Sequence, residues 1–138
     1  MTLSPQRGST TTVSPSVNEF LTAPQTAVLT TLRPDGSPHL TPVRFTWDPW
    51  AGVARVLTVN TTRKVRNVLA TPQARVALCQ VDGFRWVTLE GTALVFDVPE
   101  RVAEGVRRYA ERYCSGPPNP PGRVVVEIAV DRVLSLNC

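Results

Sequence analysis

The stretch Arg55 to Asn67, R-V-L-T-V-N-T-T-R-K-V-R-N, gathers residue types that could hold an anion. It begins as a β-branched run, passes through Asn60-Thr61-Thr62, and continues as a helical pattern carrying Arg63, Lys64 and Arg66. A helix start leaves backbone N–H groups unpaired and carries the positive end of the helix dipole. Hydroxyls and cations added there suit a phosphate. The dipole disfavours cations at that end by about 0.3–1 kcal/mol each, a cost that a bound anion would offset. An exposed helix with an ordinary cap is the competing reading. Arg55 could supply a bidentate contact if it faces the same groove, or could lie on a solvent-facing strand.

Few other residues suggest chemistry. His39 is the lone histidine, with Pro38 and Pro42 around it, and on its own it argues little. Trp86 suits a core or a ring contact about equally. Trp47 and Trp50 flank a turn and suit packing or a dimer contact. Tyr109 and Tyr113 fall on a helical stripe and read as structural. Cys79, Cys114 and Cys138 form no C-x-x-C pair, and nothing around Cys79 would activate it. They read as reduced thiols of a cytoplasmic protein, Cys79 as a small core residue, with no metal site. No triad or carboxylate pair stands out.

The elements that would position these residues are mostly strands. At 138 residues the chain should form one domain, with residues 1–13 a disordered tail and 14–138 the folded unit. A net charge of +4 suits an anionic ligand but does not run in the blocks that mark nucleic-acid binders. No apolar run is long enough to cross a membrane as a helix. A short helix starts at Ser14-Pro15. Strands follow over 26–33, 38–47 and 53–59, separated by Pro34-Asp35-Gly36-Ser37 and by Asp48-Pro49-Trp50-Ala51-Gly52. Pro38 and Pro42 place the second strand at an edge or bulge. A helix over 62–70 buries Val65, Val68 and Leu69. Strands at 75–81 and 84–96 meet at Asp82-Gly83, and Gly91 marks a bulge. Asp97 caps the main helix, a stiff S-G-P-P-N-P-P-G loop follows, and 123–136 is the last strand. Glu90 and Glu127 should pair with arginines. The expected fold is mainly β with short helices, a six-stranded antiparallel barrel.

Taken in order, P-D-G-S-P-H, the Arg55–Asn67 run, R-W-V-T-L-E-G-T-A and the R-Y-x-x-R-Y…P-N-P helix end resemble the flavin- and deazaflavin-binding split barrels related to pyridoxamine phosphate oxidase. Within them the pattern is most similar to the branch of biliverdin reductases that use the deazaflavin coenzyme F-420. Here Trp86 stands where flavin mononucleotide enzymes tend to have glutamine. The resemblance implies a homodimer of six-stranded split barrels with cofactor sites between subunits. It implies phosphate binding by Arg55, Thr62, Arg63 and Lys64, with Thr58, Asn60 and Asn67 in the same set. His39, Leu40, Thr41, Pro42 and Val43 would lie against the ring system, with Gln80, Val81 and Trp86 closing over it. Asn119 and Arg123 would meet the substrate, although Pro118, Pro121 and Gly122 stand where biliverdin-reducing relatives tend to have arginines. The implied activity is hydride transfer from reduced F-420 to a conjugated small-molecule acceptor, a biliverdin-like tetrapyrrole first. No catalytic residue is assigned. The alternatives are an oxidase or flavin reductase using flavin mononucleotide (FMN), and a non-catalytic cofactor-binding module.

Overall fold

The computed structural model describes residues 13–138. In chain order the elements are α1 (Pro15–Thr22), β1 (Ala27–Leu32), β2 (Pro38–Val43), β3 (Thr46–Asp48) and β4 (Val53–Val59). Then come α2 (Arg63–Ala70), β5 (Arg75–Asp82), β6 (Arg85–Phe96), α3 (Pro99–Tyr113) and β7 (Arg123–Leu136). All neighbouring strands pair antiparallel, in the order β2-β1-β5-β6-β7-β4-β3.

The sheet has seven strands, one more than the sequence suggests, because 38–47 is broken at Arg44-Phe45. The Tyr113 hydroxyl accepts from the Phe45 N–H (3.0 Å) and donates to the Phe45 carbonyl (2.8 Å), taking both groups that a ladder would use. The break sends β2 to one edge of the sheet and β3 to the other. Val43 and Thr46 are only three residues apart, so the two ends of the sheet come within roughly 11 Å of each other here. The sheet therefore curls towards closure and leaves a seam.

The concave side holds the core, including Leu29, Leu78, Leu89, Val56 and Ile128, plugged by Phe20 and Leu21 of α1 and by Val65 and Val68 of α2. Ser14 caps α1 by accepting from the Val17 N–H, and Pro15 follows it. Gly91 sits at a register shift between β6 and β7; a Cβ there would collide with the Ala129 carbonyl.

Several local expectations change. The residue capping α3 is Val98, not Asp97, because Pro99 takes the first helical position. On α2 the buried stripe is Val65, Asn67 and Val68, while Leu69 is 65% exposed. Cys79 is half-buried on the convex side of β5, outside the core, and all three cysteines are unpaired. Val13, assigned to the tail, packs against the core, and the rest of that tail lies outside the described residues.

The convex side divides in two. Over β4 and the adjoining halves of β6 and β7 it is covered by α3, where Gly105 lets the helix approach Leu57 and Val125. Over β2, β1, β5 and the other halves of β6 and β7 no described residue covers it, and it is bare in that sense.

Candidate functional site: a groove at the seam of the sheet

β3 pairs only with Val53, Ala54 and Arg55, so β4 has no strand beside it from Val56 onward on that edge. β2 likewise pairs only with β1. Between these two open edges lies a cavity of about 270 Å³. Pro42, Val43 and Arg44 form one wall and Val56 to Val59 the other. Lys64 enters from α2, Tyr109 from α3, and Pro117, Pro118, Pro120 and Arg123 complete the lining. No carboxylate among the described residues lines it.

The start of α2 is left open to an anion. Thr62 stands at the cap position, but its hydroxyl donates to the Val59 carbonyl (2.9 Å) and does not cap the helix. The first turn holds no acidic residue. Lys64 is half-buried, and that burial alone lowers its pKa from the usual lysine value. Burial also lowers the His39 pKa, and the charges of Arg33, Lys64 and Arg63 push it the same way. His39 Nδ1 is buried without a hydrogen-bond partner. Arg33, Arg63 and Lys64 thus all act on His39, and none of the four is in an ion pair with an acid among the described residues.

The profile of the pyridoxamine 5'-phosphate oxidase family matches residues 13–137. The chain belongs to the pyridoxamine 5'-phosphate oxidase family. It is 44% identical, over 125 residues, to an F-420H2-dependent biliverdin reductase of Mycobacterium tuberculosis (strain CDC 1551 / Oshkosh), covering 91% of this chain and 89% of that one. Among solved structures, a conserved hypothetical protein from Mycobacterium tuberculosis superposes with a TM-score of 0.75 at 27% identity, covering 96% of this chain and 89% of that one. An F-420 reductase superposes with a TM-score of 0.70 at 26% identity, covering 88% and 98%.

This member of the pyridoxamine 5'-phosphate oxidase family gathers Pro42, Val43, Thr58, Lys64 and Arg123 into one groove. His39 and Thr41 line the same side of β2, half-buried, while Leu40 points to the bare convex side. Arg63 is exposed next to Lys64. Arg55 lies elsewhere: it faces α3 between Asp48 (3.3 Å) and Glu127 (3.7 Å), and its charge is already matched. Asn60 is a brace, its N–H donating to the Gly122 carbonyl and its side chain filling the place of a Gly122 Cβ. Gly122, at φ +77°, suits both that contact and its backbone. Asn67 is buried and donates to Thr31 Oγ1 (2.9 Å), tying α2 to β1. Gln80 is also buried, donating to the Phe20 carbonyl (2.8 Å) and accepting from Arg112 (3.0 Å). Val81 and Trp86 face each other across β5 and β6 on the bare convex side. Asn119 is exposed in the proline loop and outside the cavity lining.

Two polar groove residues escape the sequence reading. Arg44 directly follows the Pro42-Val43 segment assigned to the ring, so that segment ends one residue short. Tyr109 was read as packing, yet it lines the groove and accepts from Arg44 (2.7 Å).

Proposed function

We propose that this protein is an F-420-dependent oxidoreductase reducing a conjugated acceptor, with a biliverdin-like tetrapyrrole as the leading candidate. The observation that carries this reading is a groove at the sheet seam with basic residues and a helix start at one end and no acid in its lining. The similarity to an F-420H2-dependent biliverdin reductase supports the choice of cofactor.

Lys64, Arg63 and the open N–H groups of α2 would hold the phosphate, with Thr58 and Thr62 nearby. His39 would stand beside that anion with its pKa held low, gaining a proton more readily once the anion cancels its cationic neighbours. A flat, polar ring fits between Pro42-Val43 and the open edge of β4, where backbone groups lack a neighbouring strand. Bound coenzyme F-420, in its reduced form, supplies the hydride. Pro117, Pro118 and Pro120 form a stiff wall that excludes water from that end.

We read residues 14–138 as one split-barrel domain and the assembly as a homodimer. On the bare convex side Val28 (39% exposed), Leu32 (48%), Leu40 (61%), Val81 (57%), Leu134 (39%) and Leu136 (49%) form an apolar face of the kind a partner covers. Val81 and Trp86 would then reach a site between subunits. The unpaired cysteines support a reducing cytoplasm.

The test is a fluorescence titration of the full chain with F-420 and with FMN. Tight F-420 binding, much weaker FMN binding, and loss of F-420 binding in an Arg63→Ala/Lys64→Ala variant that still folds are expected. Equal or tighter FMN binding would overturn the cofactor choice.

A further inference from the structure

Arg44 sits at the break between β2 and β3, on the groove wall towards α3. Its neighbours are unusual for an exposed arginine. Nη1 donates to the Tyr109 hydroxyl at 2.7 Å, and the guanidinium lies 4.9 Å from the Tyr113 ring centroid and 5.9 Å from that of Tyr109. The two rings pack at 4.8 Å between centroids, tilted by 44°, one turn apart on α3. Tyr113 is in turn fixed by both backbone groups of Phe45, the residue after Arg44. The platform that orients Arg44 is therefore pinned to the same bend that carries it. Among the described residues no acid pairs with Arg44, and one phenol leaves most of its donors free. Arg123 lines the same cavity; it donates to the Pro118 carbonyl (2.9 Å), and its Nε is buried without a partner.

We infer that Arg44 reads a carboxylate of the acceptor, with Arg123 as its companion and Tyr109 as the residue that positions it. This rests on the oxidoreductase reading above and adds the feature by which acceptors are selected. A pre-oriented planar guanidinium with free N–H groups matches a carboxylate bidentately, and little side-chain freedom is left to lose on binding. The phosphate has a separate place at Lys64 and the start of α2. The resemblance implies arginines in the proline loop where this chain has Pro118, Pro121 and Gly122, and Arg44 would take their part from another wall.

The experiment compares biliverdin, a dicarboxylate, with its dimethyl ester as acceptors for the full-length protein and F-420H2. Equilibrium binding of both compounds is measured in parallel. The unmodified protein should prefer the diacid by about 10- to 100-fold in KM, the range for hydrogen bonds to a charged group. Arg44→Ala should bring that preference close to parity, with kcat changing far less than KM and F-420 affinity retained. Arg44→Lys should restore part of it. Tyr109→Phe, which keeps the ring and loses the 2.7 Å bond, should lose part. A preference that survives Arg44→Ala overturns the inference, as does an unmodified protein that treats acid and ester alike in both binding and turnover. A variant whose defect lies in F-420 affinity overturns it too, by moving Arg44 to the cofactor. Failure of the unmodified protein to bind F-420 would instead strike the oxidoreductase reading itself.

Discussion

Two groups of cations in this molecule differ in what holds them. Along and beneath α3, Arg55, Arg101, Arg107 and Arg108 share Asp48, Glu104, Glu111 and Glu127. Around the seam, Arg44 leans on a phenol and Arg123 on a carbonyl, and Lys64 and Arg63 have no acid beside them among the described residues. The first group fastens a helix to a sheet, its charges matched within the fold. The second is charge paired with no acid among the described residues, which the fold tolerates because the groove opens to solvent. The formal charge of +4 is therefore unevenly spread, and the groove cations are the part of it that the proposed anion would meet. If this contrast holds, the first group should govern stability and the second binding.

The largest effect should come from Asp48. It is 5% exposed, caps the Trp50 and Ala51 N–H groups (3.1 and 3.2 Å), and meets both Arg55 (3.3 Å) and Arg108 (3.0 Å). Asp48→Ala takes one acid from each of two arginines, leaving Arg55 to Glu127 and Arg108 to Glu104, and breaking a buried pair of this kind costs about 3–5 kcal/mol. Urea unfolding should show a lowered midpoint, while F-420 affinity, measured where the variant is folded, stays put. A midpoint within about 0.5 kcal/mol of the parent, the range of ordinary surface substitutions, would show that the network contributes nothing and erase the contrast.

This division was only half legible in the sequence. Turns and apolar alternation place nearly every element, and the pairing of Glu127 with arginines is borne out. The break at Phe45 is not legible, because its cause is a tyrosine 68 residues further on. Arg55 looked like a phosphate ligand because its acids, Asp48 and Glu127, lie in other strands. Gln80 and Asn67 went the other way. Gln80 shares strand parity with the buried Val76 and Leu78, so periodicity already pointed it inwards, and the family pattern was allowed to outweigh that signal. Leu69 shows the converse: an apolar residue near a helix end was counted as core when the buried position belongs to Asn67.

The groove cations should give the opposite signature. Arg63→Ala and Lys64→Ala remove charges that repel each other and the dipole, so unfolding should shift by no more than about 0.5 kcal/mol, towards greater stability. F-420 affinity should fall about tenfold or more for each, the scale of a charge-assisted hydrogen bond. Raising the salt concentration should weaken F-420 binding to the parent and matter less to these variants. If either substitution destabilises the fold as Asp48→Ala does, the helix start is structural and the surplus charge has another explanation.

The smallest effect is a pH dependence confined to the paired group. Glu104 accepts from Arg107 (2.8 Å) and Arg108 (2.6 Å), and these bonds lower its pKa from 4.5 to about 2. A carboxyl with a depressed folded pKa binds its proton less readily folded than unfolded. Its contribution to stability is therefore complete above about 4.5 and is lost as the pH falls towards 2. Glu104 is a third exposed, so solvent screens the pair and the contribution should be modest. Urea midpoints of the parent and Glu104→Gln, followed from neutral pH into acid, should differ most above 4.5 and converge near 2. The Lys64→Ala curve should instead run parallel to the parent over that range, because no acid titrates against Lys64. Parallel curves for Glu104→Gln would mean that the pairs along α3 are as idle for stability as the cations of the groove, leaving the buried Asp48 to fasten the helix alone.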